Sequence, residues 1–93
     1  MSDKIITRSV TSDNQFTDSA SIVGHFNVSI SGTWDAIVTA QRSFDKGSTW
    51  FSVKTWIDNV EEYGFEPERG VHYRIGVKAG EFENGTVVLR LSQ

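Results

Sequence analysis

Few side chains in this 93-residue chain are of the types that catalyse reactions or bind metals. There is no cysteine, which excludes a disulfide framework, a thiolate nucleophile and a thiolate metal site. The two histidines, His25 and His72, fit no metal-binding spacing such as H-E-x-x-H. The chain also lacks a G-x-S-x-G nucleophile motif and a G-x-x-x-x-G-K-[ST] phosphate loop. The sequence therefore predicts a protein that is not an enzyme and needs no cofactor.

Five carboxylates between Asp58 and Glu68 form the one acidic stretch that could bind calcium. Their spacing does not match an EF-hand loop, which needs oxygen ligands at alternate positions and a glycine at the sixth. Adjacent Glu61 and Glu62 would point to opposite faces of an extended chain, which makes them a poor acid–base pair. We interpret the stretch as a solvated loop and leave a basic partner or a metal as alternatives.

The net charge and the short apolar runs of the chain limit which classes of partner it can bind. A net charge of −3 argues against nucleic acid or an anionic membrane as the main partner. No apolar run approaches the roughly 20 residues of a membrane span, and the first residues show no signal-peptide pattern. We expect one small domain that is made in the cytoplasm.

The elements that must position these residues are β-strands. Ten Val and seven Ile stand against two Leu, and β-branched side chains favour strands. Apolar and polar residues alternate clearly over residues 25–31, 71–79 and 86–92. Gly32 and Asn84-Gly85 read as turns between strands. The pattern predicts an antiparallel β-sandwich, immunoglobulin-like or jelly-roll, of about six to seven short strands.

The alternation also predicts the core and the division of the chain. Residues 1–18 are expected to form an N-terminal arm or edge strand with a polar loop, and residues 19–93 the sandwich. The hairpin over residues 34–57 has large apolar groups on both faces, which indicates a central pair or a pair that meets a partner. The predicted core comprises Phe26, Val28, Ile30, Val38, Phe51, Val53, Tyr73, Ile75, Val77, Leu89 and Leu91.

The most specific local pattern is the turn motif, which we define as Ser43, Asp45, Gly47, Thr49 and Trp50. An Asp can accept hydrogen bonds from turn N–H groups, a Gly can adopt positive φ, and a Trp can close the turn. These five positions resemble the Asp-box of sialidases and other propellers, where it repeats in each blade. Here it occurs once in a chain too short for a propeller. The resemblance therefore implies a rigid turn and no sialidase activity.

A wider resemblance covers about two thirds of the chain. The run G-T-W-D-A-I-V-T-A-Q-R-S-F-D-K-G-S-T-W over residues 32–50 resembles small virion structural proteins of tailed bacteriophages. So do residues 70–80, residues 85–87 and the Arg-Leu-Ser-Gln at residues 90–93. The resemblance implies capsid decoration or cement, or a small fibre or tail component. It defines no catalytic residue, and it does not include the first thirty residues.

The three tryptophans support two further readings. They could form a sugar-stacking platform, as in a carbohydrate-binding module, or pack in the core and at a protein interface. The candidate partner interface comprises Trp56, Lys54, Ile5 and Ile6.

These observations predict a role in the virion. We expect the protein to lie on the capsid exterior. There, as a homotrimer, it would bind the phage major capsid protein and stabilise the lattice. A carbohydrate-binding module using exposed Trp and a small tail or fibre connector are the alternatives.

Overall fold

The protein folds into two antiparallel β-sheets that pack face to face, as a computed structural model describes for residues 4–93. The fold class predicted from the alternation is confirmed. Seven strands are six residues or longer and two have only two residues. The strands are β1 Ile5–Val10, β2 Gln15–Phe16, β3 Ala20–Ser21, β4 Gly24–Ala36, β5 Val38–Ser43, β6 Phe51–Trp56, β7 Val60–Glu66, β8 His72–Val77 and β9 Phe82–Ser92.

The order of the strands in residues 4–93 places β1 and β7 at the edges of the first sheet, and β6 and the short strands β2 and β3 at the edges of the second. The first sheet has the order β1-β9-β4-β7, and the second has β2-β8-β5-β6 with β3 also paired to β8. Edge strands β6 and β7 lie on one side of the sandwich, where the Lys54–Glu62 ion pair joins them. Edge strand β1 lies on the opposite side, where the Arg8 side chain donates a hydrogen bond to the Phe16 carbonyl of β2 at 2.6 Å. No helix in residues 4–93 is long and apolar enough to cross a membrane.

The core lies between the sheets and contains most of the predicted residues. In β8, Tyr73, Ile75 and Val77 are buried, whereas His72 and Arg74 are half-buried on the other face, which confirms the predicted register. Phe26 is partly buried against this core. Sequence reasoning did not include six further core residues, which are Val10, Ile22, Ala36, Ala40, Val71 and Val87.

Two predicted turns are instead parts of continuous strands. Gly32 lies within β4 and Gly85 within β9, with positive φ values of 101° and 95°. The two strands pair across these positions, with Gly32 opposite Val87 and Gly85 opposite Trp34. A Cβ at either glycine would collide with the carbonyl oxygen of the other strand. Glycine therefore permits a close approach of two long strands here and does not end them.

The acidic stretch is the second correction. Residues 60–66 form edge strand β7, which pairs with β4 over seven residues, where a solvated loop was expected. Its exposed aromatic residues are Tyr63 and Phe65, while Glu62 and Glu66 share the inner face with Gly64. The strand was missed because its two aromatic residues face outward and two of its three glutamates face inward, the reverse of the usual pattern.

The third correction concerns strand β6. Phe51 and Val53 were expected in the core but are 51% and 47% exposed. Strand β6 is an edge strand, and its register with β5 shifts between Ala40 and Gln41. This bulge leaves Val53 without a directly paired residue, and an edge strand has no further neighbour to cover its side chains.

From residue 4 onward, where the structure describes it, the N-terminal segment is part of the first sheet. Residues 5–10 pair with β9 along their whole length, and Val10 is fully buried. Lys4 and Gln93 exchange two backbone hydrogen bonds of 2.8 Å beyond the end of the strand. Removing this segment would therefore uncover the core and leave β9 as an edge.

Candidate functional site

The turn motif joins β5 to β6 through hydrogen bonds within seven residues of chain. The Ser43 hydroxyl donates to Asp45 Oδ1 at 2.6 Å and accepts from the Gly47 N–H at 2.8 Å. Asp45 Oδ1 also accepts from the Thr49 N–H at 2.8 Å. These donors, the Ser43 hydroxyl first, hold the pKa of the Asp45 carboxyl below its ordinary value. Because Asp45 makes these hydrogen bonds inside the turn, it has a structural role there.

The indole of Trp50 closes the turn and reaches the outer face of the second sheet. Gly47 has a φ of 97°, and a Cβ there would lie 3.3 Å from the Trp50 ring. The Arg74 guanidinium carbon lies 4.3 Å from the centre of the Trp50 ring and 4.1 Å from that of Phe16. The guanidinium also donates from Nε to Gln41 at 2.9 Å. These cation–π contacts tie the turn to β8 and β2.

A buried carboxylate, which sequence reasoning placed in a loop, joins the ends of the two sheets. Glu66 is 1% exposed and accepts from Arg42 at 2.9 Å and from the Tyr73 hydroxyl at 2.6 Å. It also accepts from the Glu68 N–H at 3.0 Å. Burial alone would raise the pKa of Glu66, but these donors outweigh it and lower the pKa. Burial, with help from Glu66, raises the pKa of Tyr73 to about 12.

Other carboxylates of the acidic stretch also have partners within the chain. Glu62 accepts from Lys54 at 2.7 Å, which lowers the pKa of Glu62, and Glu61 accepts from the Ser29 hydroxyl at 2.6 Å. In residues 4–93, no three His, Asp or Glu side chains are grouped so that they could hold a metal ion. The carboxylates of β7 thus mainly hold this strand against β4, β5 and β6.

A further pair of carboxylates, which sequence reasoning did not single out, lies at the other end of the sandwich. Asp35 raises the pKa of Glu83, because a protonated Glu83 donates a hydrogen bond to Asp35 and two ionised carboxylates repel each other. They line a shallow cleft with Glu81, Ile37 and Ile57. The two carboxylates are close because Asp35 of β4 pairs with Asn84 of β9, and Glu83 is the residue before Asn84.

Five exposed apolar side chains define what we call the β6–β7 side: Phe44, Phe51, Val53, Tyr63 and Phe65. All five are among the ten large apolar side chains that are exposed in residues 4–93. Val53, Tyr63 and Phe65 line a cleft of about 220 Å³ between the sheet edges. Trp56 and the Lys54–Glu62 ion pair belong to the same lining. A group of exposed aromatic residues beside an open cleft is typical of a protein interaction surface.

The four residues of the predicted partner interface do not form one surface. Trp56 and Lys54 belong to β6, and Trp56 is partly buried against the core. Ile5 and Ile6 belong to β1, at the opposite side of the sandwich. Ile5 is 59% exposed, whereas Ile6 faces inward and packs on the core. The structure therefore divides the predicted interface between two sides of the molecule.

The three tryptophans are all half-buried and have different contacts. Trp34 donates from Nε1 to Asn59 at 2.7 Å, Trp50 packs on Gly47 and Arg74, and Trp56 lines the cleft. Each indole thus has a structural role in the fold, and this arrangement gives a sugar-stacking platform no support.

Comparison with known proteins adds no family to these observations. No family model, curated protein or solved structure matches the chain.

Proposed function

We propose that this protein is a non-enzymatic structural protein of a tailed-phage virion, which decorates the capsid exterior and stabilises the lattice. The observation that carries the proposal is the presence of open strand edges on two opposite sides of one small domain, with Ile5 exposed beside one and the aromatic residues of the β6–β7 side exposed beside the other. A decoration protein needs two contacts, one with the lattice and one with its own copies. The choice of particle is supported by the bacteriophage resemblance of residues 32–50, 70–80, 85–87 and 90–93.

We call the surface around the outer edge of β1 the β1 side, and we propose that it contacts the major capsid protein. Ile5 projects from it with 59% of its surface exposed, and within residues 4–93 no strand pairs with the outer edge of β1. A single copy of so small a domain has limited area for contact, so binding at many lattice positions supplies the avidity. Bound at the seams between capsid subunits, the protein opposes the pressure of packaged DNA by its binding energy.

The test uses heads of the phage that encodes this chain, assembled without its gene. Purified protein is titrated onto these heads, and binding is measured by co-sedimentation. We expect saturation at a copy number set by the lattice and recovery of resistance to heating. Ile5→Ser should weaken binding, and Ile57→Ser, in the loop between β6 and β7, is the matched control because Ile57 is also exposed and lies outside the β1 side.

Other outcomes would overturn the proposal. Binding to purified tails and not to heads would identify a tail or fibre connector. Binding to a glycan array with no binding to heads would identify a carbohydrate-binding module. A deletion of residues 1–10 is unsuitable as the test variant, because Val10 is buried and β1 pairs with β9.

A further inference from the structure

The β6–β7 side presents two strands whose outer backbone edges are unpaired. In the described part of the chain, β6 is hydrogen-bonded only to β5, and β7 only to β4. Free N–H and C=O groups along a strand edge can pair with a strand of another chain. Both edges are flanked by exposed apolar side chains, Phe51 and Val53 on β6 and Tyr63 and Phe65 on β7. This side can therefore accept two further strands at once.

The two edges run in opposite directions, which limits what can pair with them. Lys54 of β6 contacts Glu62 of β7. Arg42, which is paired with Phe51 of β6, contacts Glu66 at the end of β7. The start of β6 thus lies beside the end of β7, and the strands are antiparallel to each other across the sandwich. An occupant that fills both edges must itself present two antiparallel strands.

The charges of the two edges are opposite. Strand β6 carries Lys54 and no carboxylate, while β7 carries Glu61, Glu62 and Glu66 and no basic residue. Pairing β7 with another β7 would bring acidic strands together, which is unfavourable. Pairing β6 with β7 brings opposite charges together. The chain's own second copy supplies both complementary strands in the required antiparallel arrangement.

We propose that the β6–β7 side binds a second copy of this chain in a two-fold dimer, with β6 of each copy pairing antiparallel with β7 of the other. The two-fold axis runs parallel to the strands, between the copies. Rotation about it exchanges the two sheets, so each sheet continues into the opposite sheet of the second copy. This inference does not depend on the virion role.

The symmetry also fixes the approximate register of the new ladders. Rotation about an axis parallel to the strands leaves the height of each residue along them unchanged. Because Lys54 and Glu62 lie at the same height within one copy, Lys54 of each copy lies level with Glu62 of the other. In antiparallel pairing, Thr55 is then level with Glu61 of the second copy, on the outer face of the joined sheet. Val53 and Tyr63 come together in the same way.

A dimer is the assembly that these edges favour over the homotrimer expected from the sequence. A closed three-fold ring brings two different surfaces of each subunit together. Here the two complementary strands lie on one side, so a two-fold contact uses both of them. The register shift in β6 and the inner-face position of Lys54 oppose indiscriminate edge pairing. A partner strand that places a carboxylate level with Lys54, as β7 of the second copy does with Glu62, is therefore favoured over other strands.

Oligomeric state is the first test. Sedimentation velocity over protein concentrations from about 1 µM to about 1 mM, a range typical of weak contacts, should show a monomer–dimer equilibrium. The double variant Tyr63→Ser/Phe65→Ser should raise the dissociation constant at least tenfold with an unchanged circular dichroism spectrum. Ile5→Ser, on the opposite side, is the control and should leave it unchanged. A monomer at every concentration, or a trimer, overturns the proposal.

Cross-linking between single-cysteine variants tests the arrangement of the strands. Because the chain has no cysteine, Thr55→Cys and Glu61→Cys each introduce one exposed thiol. We expect a short bis-maleimide to link the two variants when they are mixed, and to link neither variant efficiently to itself. Efficient self-linking of each variant, with no gain on mixing, would mean that like strands pair and would overturn the β6-to-β7 arrangement. Ile5→Ser, on the opposite side of the sandwich, leaves both strand edges unchanged and should retain the mixed cross-link.

Discussion

Glu66→Gln is the substitution that tests most directly how the two sheets are joined. The side chain is 1% exposed and accepts three hydrogen bonds, from Arg42, Tyr73 and the Glu68 N–H. Glutamine has nearly the same volume but no charge and only one acceptor oxygen. If that oxygen keeps the contacts of Oε1 with Arg42 and Tyr73, the amide NH₂ faces the Glu68 N–H. The partly buried Glu68 N–H then loses its acceptor, and the ion pair with Arg42 becomes a hydrogen bond from the charged guanidinium to a neutral amide oxygen.

The expected loss of stability follows from these changes. A hydrogen bond to a charged group contributes about 1.5–3 kcal/mol, and a buried donor without an acceptor costs about 1–3 kcal/mol. Arg42 is 35% exposed on its side chain, so water can replace part of its lost contact. We therefore expect Glu66→Gln to lower the free energy of unfolding by about 2–4 kcal/mol. This is a large fraction of the roughly 5–15 kcal/mol typical of a native domain.

The assay is urea unfolding at pH 7, followed by tryptophan fluorescence. Glu61→Gln is the matched control, because Glu61 is an exposed carboxylate in the same strand and should change stability by less than about 0.5 kcal/mol. Equal urea midpoints for Glu66→Gln and the parent protein would refute the reasoning.

The same variant has an expected pH dependence. The pKa of Glu66 is lower in the folded protein than its ordinary value. The charged carboxylate therefore contributes stability above the unfolded pKa, about 4.3, and this contribution is lost as the pH falls through the folded pKa. The difference between the parent protein and Glu66→Gln should narrow in that acidic range. A difference that stays constant down to the lowest pH would contradict the assigned role of the charge.

Three other predictions concern the turn, the core and the buried phenol. Gly47→Ala should cost about 1–3 kcal/mol in urea unfolding, because φ is 97° and the new Cβ would crowd the Trp50 ring; an unchanged midpoint would contradict this. Ile75→Ala should cost about 2–5 kcal/mol by the same assay, because Ile75 is fully buried, and a loss below about 1 kcal/mol would disagree with its packing. In a Tyr63→Phe variant, the remaining phenol of Tyr73 should titrate at about 12 by ultraviolet absorbance. Since the folded pKa is raised, the contribution of Tyr73 to stability should be complete below about pH 10 and lost as the pH rises through the folded value; titration near 10 in the folded protein would contradict its burial.

Local features of the chain could be predicted because their physical causes lie within a few residues. The alternation in β8 identified Tyr73, Ile75 and Val77 as inward-facing, since side chains of a strand point to opposite faces in turn. The residue types of the motif from Ser43 to Trp50 predicted a rigid turn, whose hydrogen bonds join positions only two to four residues apart.

Contacts between distant parts of the chain decided the rest. Glu66 faces inward because Arg42 and Tyr73 provide donors from the other sheet, and no spacing within β7 indicates those partners. Phe51 is exposed because β6 is the last strand of its sheet, a property of strand order and not of its own sequence. Gly32 continues a strand because β9 approaches it closely. The sequence by itself thus determined the strands with regular alternation and the turn. The tertiary structure alone decided which edges remained open and which charges were buried, because both depend on neighbours brought together only by folding.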